Sequence, residues 1–358
     1  MKRIKITVYS VYIVIGICAL LCGVNAKAQR LTFSSELGYF CNDENISAIS
    51  QVWRSYIDAI DTSSDTSQFW VNGRKDMHIS LHKDGLLNSY NIRKLSDDIY
   101  EINTIAYYPD SAIPGGLVNA IYKVCAMRTM QGWQLMNYFD AIKNLYKHHS
   151  IGGIDFYIGN GVVADKKRMK ESANFAESFI RRYSLNDDNH ITYLAAGSID
   201  ECSAMIGLSY TPMRSHKKCA GRTMGNIILS TRLNHIHEVV HAIMLPHFPN
   251  ATLFLHEGIA SYYGGMAERH YINAKSLAKH YIEEGNVDFN SVDTLAISLG
   301  NDIQLSNVVG AAIIEYALQQ GGESEVIRLF SAANYDQVFE LLGVDNSQRA
   351  NFIRGLFN

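Results

Sequence analysis

The sequence predicts an α+β fold, and three observations carry that expectation. Runs rich in β-branched and aromatic residues lie between residues 98 and 139. Apolar residues recur at helical spacing over 44–61 and 165–183, and helical patterns dominate after residue 251. The chain has 358 residues, 47% hydrophobic and 19% charged, with only 5 prolines, so collagen-like, low-complexity and wholly disordered readings are excluded. That length suits two domains, each with its own core.

The first residues read as an address rather than as fold. Lys2, Arg3 and Lys5 precede an uncharged apolar run from Ile6 to Val24, and Ala26-Lys27-Ala28 then stands before Gln29. This is the layout of a cleaved secretory signal over 1–28, with cleavage expected after Ala28. An uncleaved anchor is the alternative, because the run approaches spanning length. The expected location is secreted or periplasmic, with no stable membrane span after cleavage. Residues 1–28 hold four basic residues and no acid, so the formal charge of −3 becomes −7 for the remainder. No later lysine/arginine block of nucleic-acid type appears, and no nucleic-acid partner is expected. Cys41, Cys125, Cys202 and Cys219 remain after cleavage. A Cys202–Cys219 bridge would close a short loop worth about 3 kcal/mol; four buried free thiols are the alternative. No C-x-x-C spacing supports a four-cysteine metal site.

The first domain is expected over 29–150. Ile46, Ile49, Val52, Trp53, Tyr56, Ile57 and Ile60 share one helix face over 44–61. A polar stretch follows through 95. Strands are expected at 98–108, 118–128 and 132–139, with a turn at Gln131-Gly132. A helix followed by antiparallel strands resembles the cystatin and cone folds, in which a helix lies in a curved sheet.

Gly152-Gly153 reads as the junction to a second domain, 151–358. Expected there are a strand at 154–158, a helix at 165–183, a strand at 190–196 and a short helix near 199–206. A basic polar loop over 211–222 leads to a strand at 226–230 and a helix at 232–245. Helices at 252–268, 274–285, 304–320, 323–332 and 335–343, and one at the C-terminus, complete the chain.

The chemistry concentrates in His237-Glu238-Val239-Val240-His241, an H-E-x-x-H run. On a helix, His237 and His241 lie one turn apart and point the same way, so two imidazoles can bind one zinc ion. Glu238 lies between them, near enough to take a proton from a water activated by the ion. The apolar neighbours Val239, Val240, Ala242 and Ile243 bury the helix. Sixteen positions beyond His241 comes Glu257, in Leu255-His256-Glu257-Gly258-Ile259-Ala260-Ser261-Tyr262-Tyr263. A glutamate on a following helix can complete a His₂Glu site. Gly258, Ala260 and Ser261 would allow close helix approach, and Pro246 and Pro249 end the first helix.

H-E-x-x-H followed by E-G-x-A-x-Y, with a strand upstream, resembles the gluzincin metallopeptidases, in particular their short peptidase MA-like members. The resemblance implies one Zn²⁺ per chain, with His237, His241 and Glu257 as ligands and Glu238 as general base. Two positions depart from the zinc aminopeptidases of that clan. Their Met-Glu-Asn signature, whose glutamate holds the substrate amine, has its nearest match in Met224-Gly225-Asn226. Their oxyanion tyrosine has its counterpart in Asn307, three residues before Gly310. Asparagine can donate a hydrogen bond, worth about 3 kcal/mol of transition-state stabilisation, but is no acid.

His235 falls on another helix face from His237 and reads as supporting or surface. His256 is a candidate to orient a ligand. His270, Tyr271 and His280 are candidate oxyanion donors, with ordinary helix-surface roles as the alternative. The expected function is a zinc-dependent hydrolase, a peptidase acting on peptide or protein substrates, with strand 226–230 pairing with an extended peptide. The alternative is a catalytically weak, zincin-like binding protein of the cell envelope.

Overall fold

The computed structural model describes residues 31–34, 37, 43–61, 65–73, 85–110, 113–186, 190–210, 220–266, 269–285, 287–300 and 303–358. The expected signal segment, Cys41 and Cys219 lie outside them. The fold is α+β, with two mixed sheets. Among the described residues, no helix is long and apolar enough to cross a membrane.

The chain divides into two compact units between Met136 and Asn137, with Tyr210 counted in the first. In the first unit, β1 (Leu31–Phe33) pairs in parallel with β2 (Leu86–Ser96), and β2, β3 (Ile99–Asp110), β4 (Ile113–Thr129) and β5 (Gly132–Met136) form an antiparallel meander. Helix α1 (Asn45–Asp61) buries Ile49, Trp53, Tyr56 and Ile57, the face its periodicity marked. The Trp53 indole meets Tyr122 of β4 edge-on and donates to the Ser89 hydroxyl of β2 at 3.0 Å. Strand β2 occupies a stretch the sequence marks as polar. The reason is its partner: β1 covers only Leu87–Ser89, and most residues beyond are exposed.

The second unit opens with α2 (Tyr138–Ile142), a 3₁₀ turn and β6 (Lys147–Ile151). Its other elements are β7 (Ile154–Ile158), α3 (Lys166–Arg182), β8 (Ile191–Ala195), α4 (Ile199–Met205), the short β9 (Leu208–Tyr210, its last residue counted with the first unit), β10 (Gly221–Met224) and β11 (Ile227–Ser230). Gly152-Gly153 is therefore not a junction. It is the turn of the β6–β7 hairpin, with Gly152 at φ +58°, a conformation glycine adopts without a Cβ penalty. The sheet runs β10-β11-β8-β7-β6: three parallel central strands with an antiparallel strand at each edge.

Alternation along these strands separates two layers. Phe156, Tyr193 and Ile228 join the main core with Met169 and Phe179 of α3. Leu194, Ile227 and Leu229 face a smaller core with Cys202 and Met205 of α4. The Cys202 thiol is free and donates to the Ser230 carbonyl at 3.3 Å, and Cys125 is also free and buried.

The rest is helical: α5 (Ile236–His247), α6 (Leu253–Gly264), α7 (Tyr271–Glu284), α8 (Leu305–Leu329, broken at Gly322 with φ +67°), α9 (Tyr335–Leu341) and α10 (Asn346–Gly355). Helices α6 and α8 touch backbone to backbone, since a Cβ on Gly258 would stand 2.6 Å from the Gly310 carbonyl carbon. The small residues of α6 thus serve α8 at Gly258, and α5 at Gly264, where a Cβ would stand 2.2 Å from the His237 nitrogen.

Candidate metal centre

Buried polar contacts fix the entry of α5. The Tyr193 hydroxyl on β8 donates to the Arg232 carbonyl at 2.6 Å and accepts from the His235 N–H at 3.2 Å. Ser172 of α3 donates to the Leu233 carbonyl at 3.0 Å. Val239, Val240, Ile243 and Met244 then bury the helix, which leaves His237 and His241 on the flank facing α6. The side chain of Thr252 accepts from the Phe254 N–H at the start of α6, an N-cap that starts the helix one turn before Glu257.

His237, His241 and Glu257 converge as the spacing predicts. One ligand atom from each lies within 4.8 Å of the others. The two Nε2 atoms are 3.1 Å apart. Glu257 Oε2 lies 3.5 Å from His237 Nε2, and Oε1 lies 3.4 Å from His241 Nε2. His237 Nδ1 is 3.0 Å from the Gly265 carbonyl, an acceptor only, so Nδ1 carries the proton and the Nε2 lone pair faces the cluster.

The donor set fits a divalent cation. Burial opposes charge on Glu257, yet the hydrogen bonds and charges of His237 and His241 outweigh it and hold the carboxyl well below the usual range. Burial likewise opposes charge on His237, and Glu257 outweighs it and raises the imidazole. Two imidazoles and a carboxylate focused on one point form a His₂Glu set, of the kind zinc takes with one position left open.

Glu238 is 7% exposed. The Thr223 hydroxyl of β10 lies 2.7 Å from Glu238 Oε2 and 3.1 Å from the Glu238 carbonyl oxygen. On the same side of β10, Gly221 leaves the space this needs: a Cβ there would stand 2.3 Å from His235 Nδ1 and 2.7 Å from Glu238 Cγ. Strand β10, rather than the expected 226–230, is therefore the edge beside the helix. Strand β11 is internal, flanked by β10 and β8.

The other candidates fall elsewhere. Met224-Gly225-Asn226 is the β10–β11 turn, with Gly225 at φ +58°. Asn307, in the first turn of α8, donates to Glu257 Oε2 at 3.1 Å, so it bonds the third residue of the cluster. His235 is half-buried, its Nδ1 3.1 Å from the Ser230 hydroxyl. Burial, with the nearby His237, pushes it down to about 3. His256 is 2% exposed and turns from the cluster, its Nε2 3.1 Å from the Phe248 carbonyl. Tyr271 donates to Glu315 at 2.9 Å, His270 is exposed, and His280 pairs with Glu284 on the surface of α7. Thr223, the Gly265 carbonyl and the role of Asn307 are absent from the sequence reading. Of the three, only Asn307 is marked in the sequence, by its place three residues before Gly310.

No protein-family model matches the chain, and no curated protein matches it in sequence.

Proposed function

We propose that the chain is a zinc-dependent hydrolase that cleaves peptide bonds, exported by its N-terminal segment to act outside the cytoplasm. The observation that carries the reading is the convergence of His237, His241 and Glu257 on one point, with Glu238 buried beside it. His237 Nε2, His241 Nε2 and the Glu257 carboxylate would hold the ion. When bound there, zinc supplies Lewis-acid activation of water and of a carbonyl oxygen.

Glu238 takes a proton from the attacking water and passes it to the leaving amine. Thr223 holds the Glu238 carboxylate, and the Gly265 carbonyl keeps the His237 lone pair toward the cluster. The outer edge of β10 supports a peptide substrate, because an extended chain can pair with an edge strand. A structural site has no use for a base such as Glu238, which favours catalysis over binding alone.

The test uses residues 29–358, measured for metal by elemental analysis and screened against a peptide library. The expected result is about one zinc per chain, its loss in Glu257→Ala, and cleavage that Glu238→Gln abolishes while zinc stays bound. No zinc taken up, or equal cleavage by Glu238→Gln, overturns the proposal. Zinc with no cleavage of any peptide turns the reading to the binding protein.

A further inference from the structure

We infer that Asn307 is a positioning residue for the third ligand, holding Glu257 Oε2 so that the carboxylate meets the cation in one orientation. The inference rests on the zinc reading above. It starts from the carboxylate itself, which is shared between the two imidazoles at nearly equal distances, 3.4 Å and 3.5 Å. Nothing in that pair of contacts selects one oxygen. The Asn307 amide does, because it reaches only Oε2, at 3.1 Å.

The direction of the amide follows from its two partners. A carboxylate only accepts, so the NH₂ end faces Glu257. The other end, Oδ1, receives the Ser306 hydroxyl at 3.2 Å. Both ends are thus engaged, and a flipped amide would set its oxygen against the carboxylate, losing the bond to Glu257.

The backbone gives the contact its rigidity. Gly310 stands one turn beyond Asn307 on α8, and Gly258 follows Glu257 on α6. Those two glycines are where the helices touch, so the separation of Glu257 from Asn307 is set by main chain rather than by flexible stems. A carboxylate on a long side chain loses rotamer freedom when it binds a metal, and a donor that orders it beforehand reduces that loss.

The position also explains a departure from the resembling enzymes. Where they have an oxyanion tyrosine, this chain has an amide whose bond goes to the ligand. Asn307 therefore acts on the metal's holder, and its removal should be read in metal affinity first.

The experiment measures zinc affinity by competition with a chromogenic chelator, using residues 29–358 as wild type, Asn307→Leu, Asn307→Gln and Glu257→Ala. Leucine keeps the volume and removes the donor, whereas glutamine keeps a carboxamide. Outer partners of metal ligands are worth about 10–100-fold in affinity. Asn307→Leu should lose about that much, with glutamine restoring part of it and the metal-free proteins melting alike. The absorption spectrum of the cobalt-substituted protein should change in Asn307→Leu and recover in Asn307→Gln, which a packing role would not produce. If leucine disturbs the fold, Asn307→Ser, too short to reach Glu257, carries the same expectation. Affinity in Asn307→Leu within twofold of wild type, with Glu257→Ala weakened, overturns the role of Asn307 alone. Wild-type affinity in Glu257→Ala overturns the zinc reading and this inference with it.

Discussion

Replacing Gly258 by alanine tests the mechanical basis of the centre. The added Cβ would stand 2.6 Å, 2.8 Å and 2.9 Å from the carbonyl carbon, oxygen and Cα of Gly310. Carbon atoms in contact prefer about 3.5–4.0 Å, so α6 and α8 must part by about 1 Å. Alanine is favoured over glycine in a helix by about 1 kcal/mol. Overpacking costs about 1–3 kcal/mol, and the upper end applies here because main-chain atoms cannot rotate aside. The net expectation is a loss of about 2 kcal/mol, or about 4–8 °C in Tm for a unit of this size. Thermal unfolding of the chelator-treated protein reads it directly. Zinc affinity should fall too, because Glu257 is the preceding residue and Asn307 lies one turn from Gly310. A Gly258→Ala protein that melts above wild type, as propensity alone dictates, would refute the backbone contact and the rigidity argued from it.

Gly265→Ala should weaken zinc binding about tenfold, measured by chelator competition, because its carbonyl orients His237. Its φ of +73° and ψ of −171° suit glycine alone, and a Cβ would meet the Arg269 carbonyl oxygen at 2.2 Å. Thr223→Val should keep its zinc by elemental analysis and lower kcat about tenfold with KM unchanged, the scale of an imperfectly placed base. Thr223→Ser should restore most of the rate. Asp155 lies on β7, and burial there raises its pKa, but hydrogen bonds with His148 and His190 outweigh it and leave the carboxyl below its usual value. A depressed carboxyl contributes stability above its unfolded pKa of about 3.9, and that contribution is lost as pH falls through the folded value. Asp155→Asn should therefore lower stability near neutrality by under about 1 kcal/mol for so exposed a cluster, read as a small fall in Tm. The two proteins should melt alike in strong acid.

The sequence revealed local pattern and concealed tertiary partnership. His237 and His241 were legible because one turn of helix fixes their relation, and Glu257 because the next helix starts only a few residues after α5 ends. Helix α1 was legible from its apolar face. Strand β2 was hidden because, among the described residues, β1 pairs only with Leu87–Ser89, and most residues beyond are exposed and polar. Strand β10 was hidden for a different reason: four residues, two of them Gly221 and Thr223, are too short to alternate visibly. Gly152-Gly153 was misread because a hairpin turn and a linker ask for the same residue. Thr223 and Asn307 act across 15 and 50 positions of chain, and no spacing rule joins them to Glu238 and Glu257.

The distance of Asn307 from Glu257, 50 residues, also gives the centre a schedule. A ribosome adds about 5–20 residues per second. His237, His241 and Glu257 are therefore made about 3–10 seconds before the turn of helix that holds Asn307. The three donors need only one short loop to close before they meet, and closing it costs little entropy. The three-residue cluster and the residue that braces it thus come from separate stretches of the chain. Until α8 packs against α6, no contact among the described residues holds the Glu257 carboxylate to one orientation between the two imidazoles, and the arrival of Asn307 does so.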